Sequence, residues 1–336
     1  MALTTYGNIS QRTAAYAVAD MLAHAEPIFV LSKFGQTKEC PQNKADTMKF
    51  RRPTPFPITT TLMGGLTEGV TPAEQSMQYE DRTVIMKQYG SFTKISDKIC
   101  DLAEDPVMAD ASMLSGEQAG EVKELLLWGT LKAGTAVGYS NGAARNAVNT
   151  PPGVSKFQAA IRVLNAQRAK KITTMMSSSP NYGTVSVDGG YIAFCHTDMD
   201  YDLEAMPGFK KVADYGTRQP LCPEELGSLG KIRFITSPLL APWLGATGVV
   251  GGATSTMKNT AGFADVYPIV IVSKDAYAHV PLKGKSSIVP KVMNPDTLDR
   301  TDPLGQWGFV SWKMWDASLI LNELWMYRLE CAATLL

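Results

Sequence analysis

Charge is what this chain has least of. Asp, Glu, Lys and Arg make up 19% of its 336 residues, against the ~25% of an ordinary soluble chain. Neither sign is in excess, since 32 basic residues meet 32 acidic ones. A protein that reads or coats nucleic acid usually carries a basic surplus, and a neutral chain gains little from phosphate. Neutrality also removes the long-range repulsion that keeps copies apart. Both features suit a subunit that buries much of itself against neighbours.

Other absences exclude other classes. The five cysteines, Cys40, Cys100, Cys195, Cys222 and Cys331, are odd in number and widely spread, with no Cys-x-x-Cys pair. They form neither a disulfide framework nor a thiolate zinc site, and read as reduced thiols. No run of 18 apolar residues is present to span a membrane. Met1 to Tyr6 has neither a basic region nor an apolar one, which argues against a secretory leader. Gly64-Gly65 is not followed by the Lys-Ser or Lys-Thr of a phosphate-binding loop. No internal repeat is apparent.

What is present is apolar and punctuated. Hydrophobic residues make up 45%, which excludes disorder, and the length suits two domains rather than one. Ala14, Ala15, Val18, Met21, Leu22 and Ala25 form a helical stripe, capped by Ser10 and ended by Pro27. This weakly hydrophobic helix needs a partner surface and leads into an extended arm. Pro53, Pro55 and Pro57 alternate, which forbids a helix and a central strand but permits an edge strand. β-Formers return from Tyr79 to Ile95, so the segment from Lys49 to about Gly90 reads as a long two-stranded excursion with its tip at Met63-Gly64-Gly65. An isolated hairpin of that length is marginal in water and must lie on something.

The strongest helix signal follows. Asp105 fits the N-cap and Pro106 the first turn, and Val107, Ala111, Leu114, Gln118, Val122 and Leu125 mark a 3.6-residue stripe. Acids lie early, Lys132 lies late and Gly134 ends the run. About 28 residues at 1.5 Å each predict a spine of roughly 42 Å. Pro151-Pro152-Gly153 breaks the chain. A second helix runs from Ser155 to about Ala169 on Phe157, Ile161 and Leu164, with a solvated basic end at Arg168, Lys170 and Lys171. Tyr191–Cys195 and Ile269–Val272 read as buried strands, and residues 245–262 as a mobile surface loop. Trp307 to Leu329 returns to β-formers, with a turn expected at Asp316-Ala317-Ser318. The closing strands are expected to pack on the spine helix, which makes residues 151–300 an inserted second domain.

Two stretches imitate chemical motifs. Gly138-Tyr139-Ser140-Asn141-Gly142 matches the G-x-S-x-G elbow of serine hydrolases, with Ser140 as nucleophile and His196 or His279 downstream. The elbow needs a strand-to-helix turn, whereas this one follows a helix and enters a polar loop, so it reads as structural. Asp198-Met199-Asp200-Tyr201-Asp202 opens like a calcium loop, but Leu203 stands where glycine must turn the chain and Phe209 where glutamate must ligate. Asp202 reads instead as a helix cap. Cys195 beside His196 lacks metal-ligand spacing, and His24 is an ordinary histidine near a helix end.

Several stretches together resemble a family. They are Met1 to Gly7 with Thr13 to Tyr16, Lys49-Phe50-Arg51-Arg52, Leu66 to Pro72, Tyr89-Gly90 and Ile95-Ser96-Asp97. Ser179 to Gly183, Tyr191 to His196, Pro207-Gly208-Phe209 and Gln306 to Phe309 through Arg328-Leu329-Glu330 continue the series in order. The chain resembles the major capsid proteins of tailed bacteriophages. The resemblance implies an α+β fold of the Hong Kong phage capsid type, shared with herpesvirus shells and encapsulins. On that pattern residues 1–45 are an N-terminal arm and 46–90 an extended loop. Residues 91–140 and 301–336 are a peripheral domain with the spine helix, and 141–300 an axial domain.

The implied function is a shell subunit forming hexamers and pentamers around double-stranded DNA in the virion, assembled in the host cytoplasm. Implied partners are other copies, a separate scaffolding protein, a portal, a decoration protein and non-specifically contacted DNA, with no membrane. The pattern carries no catalytic, cofactor or metal residues. The alternatives are an encapsulin-like compartment and a serine hydrolase using Ser140.

Overall fold

A computed structural model describes residues 30–58, 63–65, 68–71, 74–102, 107–176, 184–216, 218–246, 256–283, 288–295, 297–298 and 302–336. The expected helix over residues 10–25, His24, and the Asp105 and Pro106 helix start lie outside these residues. Strands are numbered β1–β17 and helices α1–α4 in chain order.

The expected two-stranded excursion is present: β2 (Thr47–Pro53) pairs antiparallel with β3 (Tyr79–Ile85), from Thr47 opposite Ile85 to Pro53 opposite Tyr79. Pro53 closes β2, where a missing N–H costs least. Gly65 has φ +80°, a left-handed conformation that glycine adopts freely, at the expected tip.

A five-stranded sheet is built on β16 (Trp307–Ile320). β4 (Lys87–Ser96) pairs along residues 307–316 of β16. On the opposite edge lie β15 (Val289–Met293) and β14 (Tyr277–Pro281), and β1 (Gln36–Thr37) adds to β14. β16 runs unbroken through Asp316-Ala317-Ser318, so the expected turn is absent. The polar residues that suggested it face inward. Asp316 is buried with an oxygen 2.6 Å from His279 Nε2, and Ser318 Oγ lies 2.7 Å from Thr130 Oγ1.

The eight-stranded sheet has the order β5 (Val137–Tyr139), β17 (Met326–Cys331), β13 (Tyr267–Val272), β7 (Thr184–Cys195), β10 (Ile232–Thr236), β9 (Glu225–Leu229) and β8 (Phe209–Lys211), with β6 (Ile172–Met176) on β7. Tyr191–Cys195 and Ile269–Val272 are fully buried, as their unbroken apolar runs predict. Strand alternation divides them between two cores. Tyr191, Ala193 and Cys195 face α3 (Val154–Ala166), where Phe157 meets Phe234 edge-on at 5.2 Å. Ile192 and Phe194 face the other way, toward Leu127, Trp128 and Leu131. α3 ends at Ala166, earlier than expected, and Arg168 turns the chain at φ +53°.

α1 (Asp97–Leu102) leads to the long helix α2, Val107–Lys132, whose 26 residues span about 39 Å at 1.5 Å each. Its expected apolar stripe is displaced. Leu114 and Leu125 are 59% and 44% exposed, while Ser112, Ser115, Gly116, Ala119 and Gly120 are buried. The reason is volume. Trp312 and Met314 of β16 fill the interface, so small residues must face them, and Ala119 packs there. Gln118 accepts a 3.0 Å hydrogen bond from Trp312 Nε1.

The expected loop over 245–262 is partly held. β11 (Asn259–Thr260) pairs with β12 (Phe263–Ala264), and Met257 bridges to Thr334. Asp265 fixes the turn by accepting from Gly245 N and Thr260 Oγ1. Residues 247–255 lie outside the described residues.

A charged cluster ties the end of α2 to the large sheet. Arg328 donates to the carbonyls of Lys132 and Gly134, where the helix dipole favours a cation. It also donates to Glu330, which Arg145 grips through two bonds of 2.8 and 2.7 Å. Glu330 is fully buried, so each missing partner leaves uncompensated charge in the core. Arg328→Ala is expected to destabilise the unassembled subunit by on the order of 3 kcal/mol, read from urea unfolding. Arg51→Ala, which breaks a solvent-exposed pair with Asp81, is expected to leave the urea midpoint unchanged.

Candidate assembly surfaces

The hairpin has two unlike faces because β2 and β3 alternate. Met48, Phe50 and Val84 point inward and pack on Cys40, Met86, Val280, Ala317 and Leu319. This roots the hairpin on the outer face of the five-stranded sheet. Thr47, Lys49, Arg51, Tyr79, Asp81 and Ile85 point outward, and Tyr79 and Ile85 are more than half exposed. Acids and bases on the strands neutralise one another. Arg51 reaches Asp81 at 2.7 and 3.0 Å, Lys49 approaches the same carboxylate at 3.3 Å, and Arg52 and Arg82 both hold Glu80. The Arg51 hydrogen bonds hold the Asp81 carboxyl down at about 2. Beyond the paired strands the side chains Phe56, Ile58, Met63, Val70 and Met77 are each more than half exposed. An apolar surface of this kind on one excursion marks a contact site.

The backbone at Val30 and Leu31 is held by a buried carboxylate. Glu124, on the inner side of α2, accepts from Val30 N at 3.1 Å and Leu31 N at 2.8 Å. Tyr277 donates its hydroxyl to Leu31 O, and Leu31 is fully buried beside Leu127, Trp128 and Leu131. Burial pushes the Glu124 carboxyl up, against the pull of the two N–H groups. Nothing in the helical pattern pointed to Glu124, because a glutamate in mid-helix ordinarily faces water. The only signal was its place four residues before Trp128 on the buried side.

The two motif-like stretches resolve into structure. Ser140 follows β5, its N–H donates to Glu330 O, and its hydroxyl donates to Thr150 O at 2.9 Å. The histidines downstream are engaged elsewhere: His279 faces Asp316, and His196 Nδ1 accepts from Asp198 N. The acidic run is likewise dispersed. Asp198 binds Lys258 and the Tyr267 hydroxyl, and Asp202 accepts from Thr334 N and Oγ1. Asp202 therefore anchors the C-terminal segment rather than capping a helix, since it lies inside α4 (Asp200–Glu204). Asp200 is raised to about 6 by burial, with Glu204 and Asp198 nearby. All five cysteines are buried free thiols, and burial pushes Cys222 up to about 12.

With this geometry in place, comparison with known proteins is decisive. A family model described as "Phage capsid protein" matches residues 79–308, more than half of the chain. The chain belongs to the phage capsid protein family. The major capsid protein of Pseudomonas phage KPP21 is 24% identical over 268 residues, covering 74% of this chain and 67% of that protein. The capsid of Ralstonia phage GP4 superposes with a TM-score of 0.65 at 11% identity over 91% of both chains. The capsid of cyanophage Pam1 gives a TM-score of 0.59 at 12% identity, over 98% of this chain and 96% of that one. The SrpI encapsulin complex from Synechococcus elongatus PCC 7942 shares the fold at a TM-score of 0.52 and 8% identity. The expected α+β capsid fold and structural role thus stand, and the chain is a phage capsid protein.

In a capsid protein the exposed leucines of α2 gain meaning. Leu114 and Leu125 lie eleven residues apart, three helical turns, and so share one outer face.

Two outcomes follow. Ser140→Ala, which removes the hydroxyl's local hydrogen bonds with Thr150 and Asn141, is expected to leave assembly unchanged, and the unmodified protein to release no chromogen from an activated ester. Asp200 has a raised carboxyl, so its folded form holds a proton that the unfolded chain has lost between pH ~4 and ~6. Stability therefore falls as pH rises through that window. Asp200→Asn is expected to raise the unfolding free energy at pH 7.5 by about 1 kcal/mol, read from urea unfolding, the half-buried position discounting the full linkage, and to change nothing at pH 4.

Proposed function

We propose that this capsid protein is the major shell subunit of a tailed-phage head, assembling into hexamers and pentamers that enclose double-stranded DNA in the virion. The observation that carries this is the hairpin. One face is packed on the chain's own sheet, while Phe56, Ile58, Met63, Val70 and Met77 find no cover among the described residues. A neighbouring subunit provides that cover. Each contact is small, but a closed shell makes many together, so avidity supplies the stability.

On this reading residues 91–140 and 301–336, with α2, form the peripheral domain, and residues 141–300 the axial domain around the capsomer axis. Arm and extended loop reach across neighbours. A separate scaffolding protein, a portal and a decoration protein complete the partners, assembly takes place in the host cytoplasm, and DNA is contacted without sequence preference. The role is structural and involves no catalytic step. The encapsulin likeness is one of fold alone. Nuclease-protected DNA inside purified particles separates a phage head from a cargo compartment.

Replacing residues 55–75 with a short Gly-Ser turn is expected to block shell formation while leaving a soluble subunit with near-native helix content. Electron microscopy and far-ultraviolet circular dichroism read the two properties. Normal shells would remove the loop from assembly, and an unfolded subunit would place it in the chain's own core.

A further inference from the structure

Three cations crowd one tryptophan where the long helix ends. Trp243 is fixed through its backbone, which exchanges two 2.9 Å hydrogen bonds with Val266. The Arg145 guanidinium lies 3.6 Å from the centre of the indole ring, the Lys132 ammonium 5.0 Å and the Arg328 guanidinium 5.6 Å. Arg328 is buried, whereas Lys132, Arg145 and Trp243 are half-buried and reach solvent. Distant segments meet here: α2 brings Lys132, the loop after β5 brings Arg145, and β17 brings Arg328.

Negative charge does not match them. Arg145 and Arg328 share the single carboxylate of Glu330, and Lys132 pairs with no carboxylate among the described residues. Glu323 lies near Gly134 but accepts from Thr135 N and Oγ1. Residues 247–255, which follow Trp243 closely in the chain, contain no Asp or Glu. The cluster therefore holds a surplus of positive charge, which the carbonyls at the end of α2 offset only in part. The imbalance shows in Lys132, whose ammonium is pushed down by burial and by Arg145. Donors remain as well. Arg145 gives Nε and Nη2 to Glu330, which leaves Nη1 for another acceptor, and one of the three Lys132 N–H groups goes to Ala241 O at 3.1 Å.

We propose that Lys132 and Arg145, beside the Trp243 ring, bind a phosphate oxyanion, supplied either as inorganic phosphate or by the backbone of DNA. The fork of Arg145, which would suit a planar carboxylate, is already taken by Glu330. A further acceptor meets single donors that come from two different segments, Nη1 and Nζ, and the tetrahedral oxygens of phosphate suit such separate donors. Arg145 is held in place by Glu330 and by stacking on the ring, so little side-chain ordering opposes binding. The site is independent of the shell-building role.

Calorimetric titration of the purified full-length chain with inorganic phosphate, against chloride at matched ionic strength, tests it, with circular dichroism on each variant. The chain is expected to bind phosphate saturably, one per chain, and to give no such response to chloride. Lys132→Gln is expected to weaken binding about tenfold or more, the effect of one lost hydrogen bond between charged groups. Lys132→Arg, which keeps the charge, is expected to retain it. Tryptophan fluorescence locates the anion: the change on adding phosphate is expected to vanish in Trp243→Phe, while calorimetric binding persists. A short DNA duplex that displaces phosphate, and binds Lys132→Gln more weakly, identifies the DNA backbone as the source. Phosphate that stays bound in the presence of the duplex identifies free phosphate. Absence of saturable binding would overturn the proposal, as would unchanged binding to a folded Lys132→Gln chain or a fluorescence change that survives in Trp243→Phe. If phosphate does not bind but Lys132→Gln impairs shell assembly, the cluster receives a carboxylate of another copy, and the proposal is overturned as well.

Discussion

The long helix has to serve two sheets at once, and the rest of the subunit is arranged around that constraint. Its first half lies on the five-stranded sheet, where Ala119 accommodates Trp312 and Met314. Its second half lies on the eight-stranded sheet, where Leu127, Trp128 and Leu131 meet Phe194, Val270 and Val272. The helix therefore changes character along its length, small where the strand is bulky and bulky where the sheet offers room. Arg328 then fixes its last carbonyls to β17, a strand of the second sheet, and Glu330 with Arg145 closes that junction.

Burying charge within the subunit has a consequence for its surface. Glu124, Glu330, Asp316 and Arg328 are all buried, and the strands of the hairpin neutralise their own acids. With no net charge, weak repulsion lets copies approach closely. Low total charge and exposed apolar residues on the hairpin both favour association.

Much of this was legible residue by residue. Pro53, Pro55 and Pro57 required an edge excursion, and the hairpin pairs where the β-formers resume at Tyr79. Unbroken apolar runs at Tyr191 and Ile269 required strands covered on both faces. Long-range choices were not legible. The stripe on α2 ran through Leu114 and Leu125 on periodicity alone, but the interior took the serines and glycines, since Trp312 already occupied the space. Asp316 looked like a turn because an acid in a β-run usually meets water, while here it faces His279. The anchoring roles of Glu124 and Asp202 depend on partners 94 and 132 residues away.

The sequence by itself determined where the hairpin, the long helix and the strands at Tyr191 and Ile269 fall, and that Ser140 and the Asp198–Asp202 run lack the surroundings their motifs need. These follow from local rules: proline has no N–H, apolar period sets the element, and a motif needs its flanking geometry. Only the tertiary structure decided which face of α2 is inside, which sheet each closing strand joins, and which lysines and rings share one face of the five-stranded sheet. Those outcomes depend on volume and register between segments hundreds of residues apart, such as Phe92 opposite Ser311, and no local pattern encodes a pairing between distant strands.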